Sequence, residues 1–191
     1  VPLGSALDDQ AVSLVKTALS TFFAFDVELG ARAALPQSAY YPARGRYRAD
    51  KLLSFLEERA DKDVFRTLGL TANDISTTKP PYEDWGVLGL ATIDGGTCVI
   101  SSHRTTRGAR NAEHARIRLA KTAVHEIGHT LGLEHCPNTG CLMEDAKGTV
   151  LTTDGESDLC PECRQKLTAR GFLAAPTGPI PWPAAARPQS G

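Results

Sequence analysis

Apolar positions recur at spacings of three and four over residues 7–23, where Leu7, Ala11, Leu14, Val15, Ala18, Leu19 and Phe22 share one face, and this predicts an amphipathic helix. The period then changes. Residues 24–31, Ala-Phe-Asp-Val-Glu-Leu-Gly-Ala, alternate apolar and polar and predict a strand. A loop rich in Pro and Tyr follows over 36–46, then a second amphipathic helix over 48–60 with Leu52, Leu53, Phe55 and Leu56 on its apolar side. Residues 63–70 read as a further strand, and Pro80-Pro81 makes 77–82 a loop. Two apolar runs, 85–93 and 97–101, flank Asp94-Gly95-Gly96 and predict a hairpin. The third helix covers about 111–131, with Ala112, Ala115, Leu119, Val124 and Ile127 as its buried candidates. Elements in this order predict an α/β or α+β fold with helices layered on a mixed sheet.

The two ends depart from this pattern. Val1 to Ser5 reads as a tag remnant outside the fold, with neither the basic end nor the apolar stretch of a signal peptide. Residues 171–191 hold Pro176, Pro179, Pro181, Pro183 and Pro188 and no acidic residue, the composition of an extended tail; Trp182 is its one residue with a ring large enough to dock. The expected folded unit is therefore 6–170.

Composition narrows the function classes. Of the 191 residues, 41% are hydrophobic and 23% charged, which is enough apolar material for a core and excludes a wholly disordered chain. The net charge of -1 argues against a polycation that binds nucleic acid or anionic lipid. No apolar run approaches the roughly 18 residues of a membrane helix. The expectation is a cytoplasmic monomer. Arg104, Arg107, Arg110, Arg116, Arg118 and Lys121 face only Glu113 in sequence and read as a solvated helix face, with His103 and His114 solvated beside them. Cys98, in an apolar strand, reads as an inert core thiol.

The chemistry concentrates in His125-Glu126-Ile127-Gly128-His129-Thr130-Leu131-Gly132-Leu133-Glu134-His135. Residues i and i+4 share a helix face, so His125 and His129 can offer two imidazole nitrogens to one metal. A third ligand at His135 requires the chain to leave the helix, and Gly132 permits the left-handed turn that does so. Three histidines leave the fourth position of a tetrahedral zinc open to water, the catalytic arrangement, with Glu126 placed as general base. A shuffled chain of this composition contains His-Glu-x-x-His about 0.7% of the time, and the motif extended to Gly132 and His135 in about 2 of 100,000 cases. Incidental histidines on a surface helix are the competing explanation.

Cys136, Cys141, Cys160 and Cys163 form a Cys-x₄-Cys pair and a Cys-x-x-Cys pair, whose four thiolates can close a structural zinc site. A redox-active Cys-x-x-Cys or two disulfides are the alternatives. The two constellations together predict two zinc ions, one catalytic and one structural.

The run from His125 through Cys136, Cys141, Met143, Cys160 and Cys163 resembles the archaemetzincin family of metzincin zinc metallopeptidases. Less specific similarity lies in 40–47, 71–74 and 85–101, and none is visible before residue 40 or after 167. The spacing between Met143 and Cys160 is one residue shorter than the family pattern. The resemblance implies a mixed upper sheet with helices over about 6–132, an active-site helix, and a small irregular lower subdomain over about 133–170 held by the cysteine zinc. It implies that Met143, the sole methionine, forms a Met-turn under the zinc histidines. It further implies a peptide substrate laid along residues 87–92 as an added strand, and hydrolysis by a zinc-bound water with Glu126 as base. A zinc-bearing binding module with vestigial hydrolysis, and a zinc hydrolase acting on non-peptide substrates, are the rival functions.

Overall fold

The computed structural model describes residues 1–5, 7–172 and 178–183; Ala6, 173–177 and 184–191, including the predicted unit's first residue and the Pro176 and Pro188 part of the tail, lie outside the described residues. Strand β1 (Pro2–Leu3) precedes helix α1 (Asp9–Phe23), which starts where the Asp8 carboxylate accepts a hydrogen bond from Gln10 N. Its buried face is the predicted one, with Ala11, Val15, Ala18, Leu19 and Phe22, and it ends at Ala24 in the left-handed region (φ 54°). Next come β2 (Tyr40–Tyr41), β3 (Arg46–Arg48), α2 (Ala49–Glu57), β4 (Thr67–Thr71), β5 (Ile75–Lys79), β6 (Tyr82–Val87), β7 (Gly89–Ala91) and β8 (Thr97–Ser101). The chain closes with α3 (Ser102–Thr105), α4 (Ala112–Thr130), α5 (Thr152–Gly155) and α6 (Pro161–Ala169).

The strands form two four-stranded sheets rather than one, ordered β1-β4-β8-β7 and β2-β3-β5-β6. In the first, β1, β4 and β8 run parallel and β7 returns antiparallel through the predicted hairpin. Every residue of β8 is buried because both faces are covered. Cys98 and Ile100 face a core built with α1 and α4, while Val99 faces a second core built with α2 and Leu3.

Several expectations are corrected here. Val1 to Leu3 belong to the fold: Leu3 is fully buried and β1 pairs with β4. The predicted strand over 24–31 does not form. β1 pairs with Leu70 and Thr71 of β4, and residues 24–31 run without regular structure, with Leu29 exposed. Residues 77–79 belong to β5, since Pro80 and Pro81 sit in the turn to β6, where the ladder requires no N–H.

The basic stretch is solvated only in part: His103, Arg107 and Arg110 are exposed as expected, but His114, Arg118 and Lys121 are buried. Arg118 is 1% exposed and forks onto Asp154 through two 2.7 Å hydrogen bonds, while its third nitrogen donates to the carbonyls of Thr105 and Arg107. His114 is buried with Nε2 2.7 Å from the same carboxylate. Lys121 is buried, donating to the carbonyls of Thr153 and Glu156, and Arg104 forks onto Asp74. The contacts of His114, Arg118 and Lys121 clamp α5 to α4. The Arg118 hydrogen bond leads in holding the Asp154 carboxyl down to about 2, against 3.8 for a free aspartate. A depressed carboxylate stabilises above its unfolded value, so this contribution is present above about pH 4 and lost as the pH falls through about 2. Asp154→Asn should cost about 3 kcal/mol at neutral pH by stranding the buried guanidinium, and should flatten the pH dependence of the urea midpoint across that window.

Trp182 is docked. Its ring stacks on Phe22 (centroids 5.4 Å apart, planes at 14°) and its Nε1 donates to Ser157 O at 3.0 Å. This part of the Pro-rich tail therefore bridges α1 and the segment before α6. Trp182→Ala is expected to lower stability by about 3 kcal/mol, read in a denaturant titration, where a free tail would give no change.

Candidate metal centre and peptide cleft

Helix α4 begins where the Asn111 side chain accepts from His114 N, and runs 19 residues beneath the first sheet. It delivers His125 and His129 one turn apart. It ends in a Schellman motif: Gly132 N donates to His129 O at 2.9 Å and Leu133 N to Gly128 O at 3.0 Å, with Gly132 at φ +86°. The left-handed step turns the chain back so that His135 faces the other two rings, at centroid distances of 5.4 and 4.9 Å. One ligand nitrogen from each of His125, His129 and His135 falls within 4.8 Å of the others.

The nitrogens are oriented as a metal requires. His125 Nδ1 lies 2.7 Å from Leu142 O and His129 Nδ1 lies 2.7 Å from Leu133 O, contacts in which each ring donates its proton. Both Nε2 lone pairs are then free, and they stand 3.0 Å apart. Two nitrogens of a tetrahedral zinc are about 3.3 Å apart, so the donor set fits with little adjustment. Burial, with the neighbouring His129 second, lowers His125 to about 3, and burial also lowers His129, which keeps both neutral as ligands must be.

Met143 is fully buried, with its sulfur packed against α4 at Gly128. A Cβ on Gly128 would lie 2.5 Å from its sulfur, so Gly128 is what lets Met143 approach the helix. Sequence reasoning assigned Gly128 no role; its place between the two helical histidines was the available signal. Cys136 N donates to Met143 O at 2.7 Å, which ties the residue after His135 to the same turn.

Glu126 is 6% exposed and lies against the edge strand, where a Cβ on Gly89 would meet its Oε1 at 2.6 Å. Burial raises its carboxyl to about 8; a cation among the histidines would favour the charged form. β7 is the open edge of its sheet, and Leu88, Gly89 and Leu90 border a cleft of about 780 Å³ that also contains His125, Glu126, His129 and His135.

The four cysteines cluster separately, with sulfurs within 4.8 Å of one another. Cys136 and Cys160 stand 3.6 Å apart and Cys141 and Cys163 3.7 Å, close to the roughly 3.8 Å between thiolates on one tetrahedral zinc, and all are free thiols. The hydrogen bond between Cys163 and Cys141 holds Cys141 down to about 5 and pushes Cys163 up. Cys98 is fully buried in β8, and burial raises its thiol, as suits an inert core residue.

A mixed sheet packed on a helix that carries two histidines, with a glycine turn to a third, is the architecture of the metzincin class of zinc metallopeptidase. Comparison with known proteins places the chain within that class. The model of peptidase family M54 matches residues 15–169, further toward the N-terminus than the sequence motifs reach. The archaemetzincin of Halobacterium salinarum is 31% identical over 158 residues, 79% of this chain and 88% of that one. The archaemetzincin of Methanopyrus kandleri is 34% identical over 137 residues, 71% and 74% of the two chains. The crystal structure of archaemetzincin from Methanopyrus kandleri superposes with a TM-score of 0.76 at 29% identity, covering 88% of this chain and 92% of that one. The structure from Archaeoglobus fulgidus, complexed with malonate, gives 0.71 at 29% identity, covering 86% and 97%. The chain belongs to peptidase family M54, the archaemetzincins, and is a zinc metallopeptidase.

Proposed function

We propose that His125, His129 and His135 hold a catalytic zinc, that Glu126 is the general base of peptide hydrolysis, and that Cys136, Cys141, Cys160 and Cys163 hold a second, structural zinc. The observation that carries this is the convergence of three imidazoles beside a buried carboxylate in a cleft edged by an unpaired strand. A zinc bound there polarises water and the scissile carbonyl. Glu126 accepts the proton of the attacking water on its carboxylate and returns it to the leaving amine. The free N–H and C=O groups of β7 suit an extended peptide added antiparallel or parallel to the edge. Met143 and Gly132 support the histidines. Free cysteines accord with a reducing, cytoplasmic setting, and no described helix is long and apolar enough to cross a membrane.

The test is a peptide library digested by zinc-loaded protein with and without acetohydroxamate, read by mass spectrometry. Cleavage that the chelator suppresses is expected. No cleavage by fully loaded protein moves the reading to a zinc-bearing binding module, and cleavage of acylated small molecules in place of peptides moves it to another zinc hydrolase.

A further inference from the structure

The cleft continues past the histidines along α4 to Thr122, one helical turn before Glu126 and about 6 Å along the axis. Ala146, Thr149, Val150 and Thr153 line it as well, and so does Glu156. Two wall hydroxyls are already committed: Thr122 donates to Arg118 O and Thr153 to Val150 O. Glu156 is not. It is 2% exposed, yet among the described residues its carboxylate takes part in no hydrogen bond or ion pair; only its main-chain carbonyl is engaged, by Lys121. The Lys121 ammonium donates its hydrogen bonds to that carbonyl and to Thr153 O and lies by the Trp182 ring, so it acts on the Glu156 carboxylate only through space.

A buried carboxyl without a hydrogen-bond partner is costly, and burial raises Glu156 to about 8 against the opposing pull of Lys121. The fold maintains this cost in the lining of a substrate cleft, on a wall whose small and apolar side chains suit an alkyl stem. Apart from Lys121 near Glu156, the charged groups that line the cleft are mostly acidic. Glu134, Glu144 and Asp145 line the same cleft, against Lys79, Arg107 and an Arg104 already neutralised by Asp74.

We propose that Glu156 is a specificity-determining residue whose carboxylate receives the ammonium or guanidinium of a lysine or arginine side chain at one fixed position flanking the scissile bond. The stem lies along Val150 and Ala146, and the cationic head supplies the hydrogen-bond partner that the carboxylate lacks. This rests on the cleft being the peptide site described above. It adds a substrate class, peptides basic beside the cleaved bond.

The test uses matched peptide hydroxamates bearing lysine, norleucine or glutamate at the variable position, with binding to the zinc-loaded protein measured by calorimetry, and the same residues varied in a cleavage library. The lysine ligand should bind about 10- to 100-fold more tightly than the norleucine one, as for a hydrogen bond to a charged group. Glu156→Gln should bring the two within about threefold while its zinc content and acetohydroxamate affinity stay unchanged. Glu156→Asp should keep the preference for lysine. Equal binding of lysine and norleucine ligands by wild type overturns the proposal, whether or not Glu156→Gln folds. So does a preference that survives in Glu156→Gln. A lysine preference in binding without any hydrolysis upholds this pocket and counts against the peptidase mechanism, whereas acetohydroxamate-sensitive hydrolysis with no basic preference does the reverse.

Discussion

Glu126→Ala is expected to lower peptide hydrolysis by about 10² to 10⁴ while leaving metal content and the melting temperature close to wild type. The polarising metal is untouched by the change, but the water's proton has no acceptor in the transition state, and general-base catalysis is worth about that factor. The carboxylate is not among the clustered nitrogens, and it sits against Gly89, so its loss opens space at the sheet edge without removing a ligand. His135→Ala should also abolish turnover, with the opposite metal signature: a more easily chelated ion. Steady-state assays on both variants, each with its metal analysis, separate the roles. Activity that survives Glu126→Ala at near wild-type rates would remove the carboxylate from the mechanism.

The second large effect is on stability. Cys163→Ser should unfold or severely destabilise the C-terminal part of the domain. From Leu133 to Cys160 the chain has one short helix, α5, and is otherwise irregular. Its attachments include the cysteine cluster, the Asp154 contacts with Arg118 and His114, Lys121, and the Trp182 bond to Ser157 O. Structural zinc contributes roughly 10–16 kcal/mol in small domains, comparable with or above the 5–15 kcal/mol that holds a whole domain. Losing even about 4 kcal/mol of it lowers the melting temperature of a domain this size by about 8–16 °C. Because Met143 and Cys136 share a main-chain hydrogen bond, the damage should reach the histidine cluster and reduce activity as well. A calorimetric scan of Cys163→Ser that overlays the wild type would contradict a structural metal.

The parts legible in sequence were those encoded at short range. The faces of α1, α2 and α4 follow from apolar spacing within one helix. The histidine run places its own ligands because helix pitch and a glycine turn act over 11 residues. The four cysteines, though 28 residues end to end, carry a residue type with few other uses in a reduced chain. What was misread depends on partners distant in sequence. The alternation of 24–31 is a strand pattern, but a strand forms only where a neighbour pairs with it, and beside Leu70 and Thr71 of β4 that neighbour is Pro2–Leu3. Arg118, His114 and Lys121 look solvated until α5, more than 30 residues on, supplies a carboxylate and carbonyls. Gly128 and Glu156 take their meaning from distant partners: Gly128 from the Met143 sulfur that packs on it, Glu156 from the burial of a carboxylate that makes no hydrogen bond among the described residues.

A catalytic metal held by three histidines, apart from a structural one held by four cysteines, is read out by elemental analysis of the purified protein before and after mild chelation, with peptide hydrolysis followed in parallel. The open histidine site should exchange faster than the closed thiolate site. The account predicts close to two zinc ions per chain, falling to close to one as hydrolysis disappears and returning with added zinc. One zinc or fewer before chelation, or hydrolysis that persists after the labile ion is gone, would contradict it.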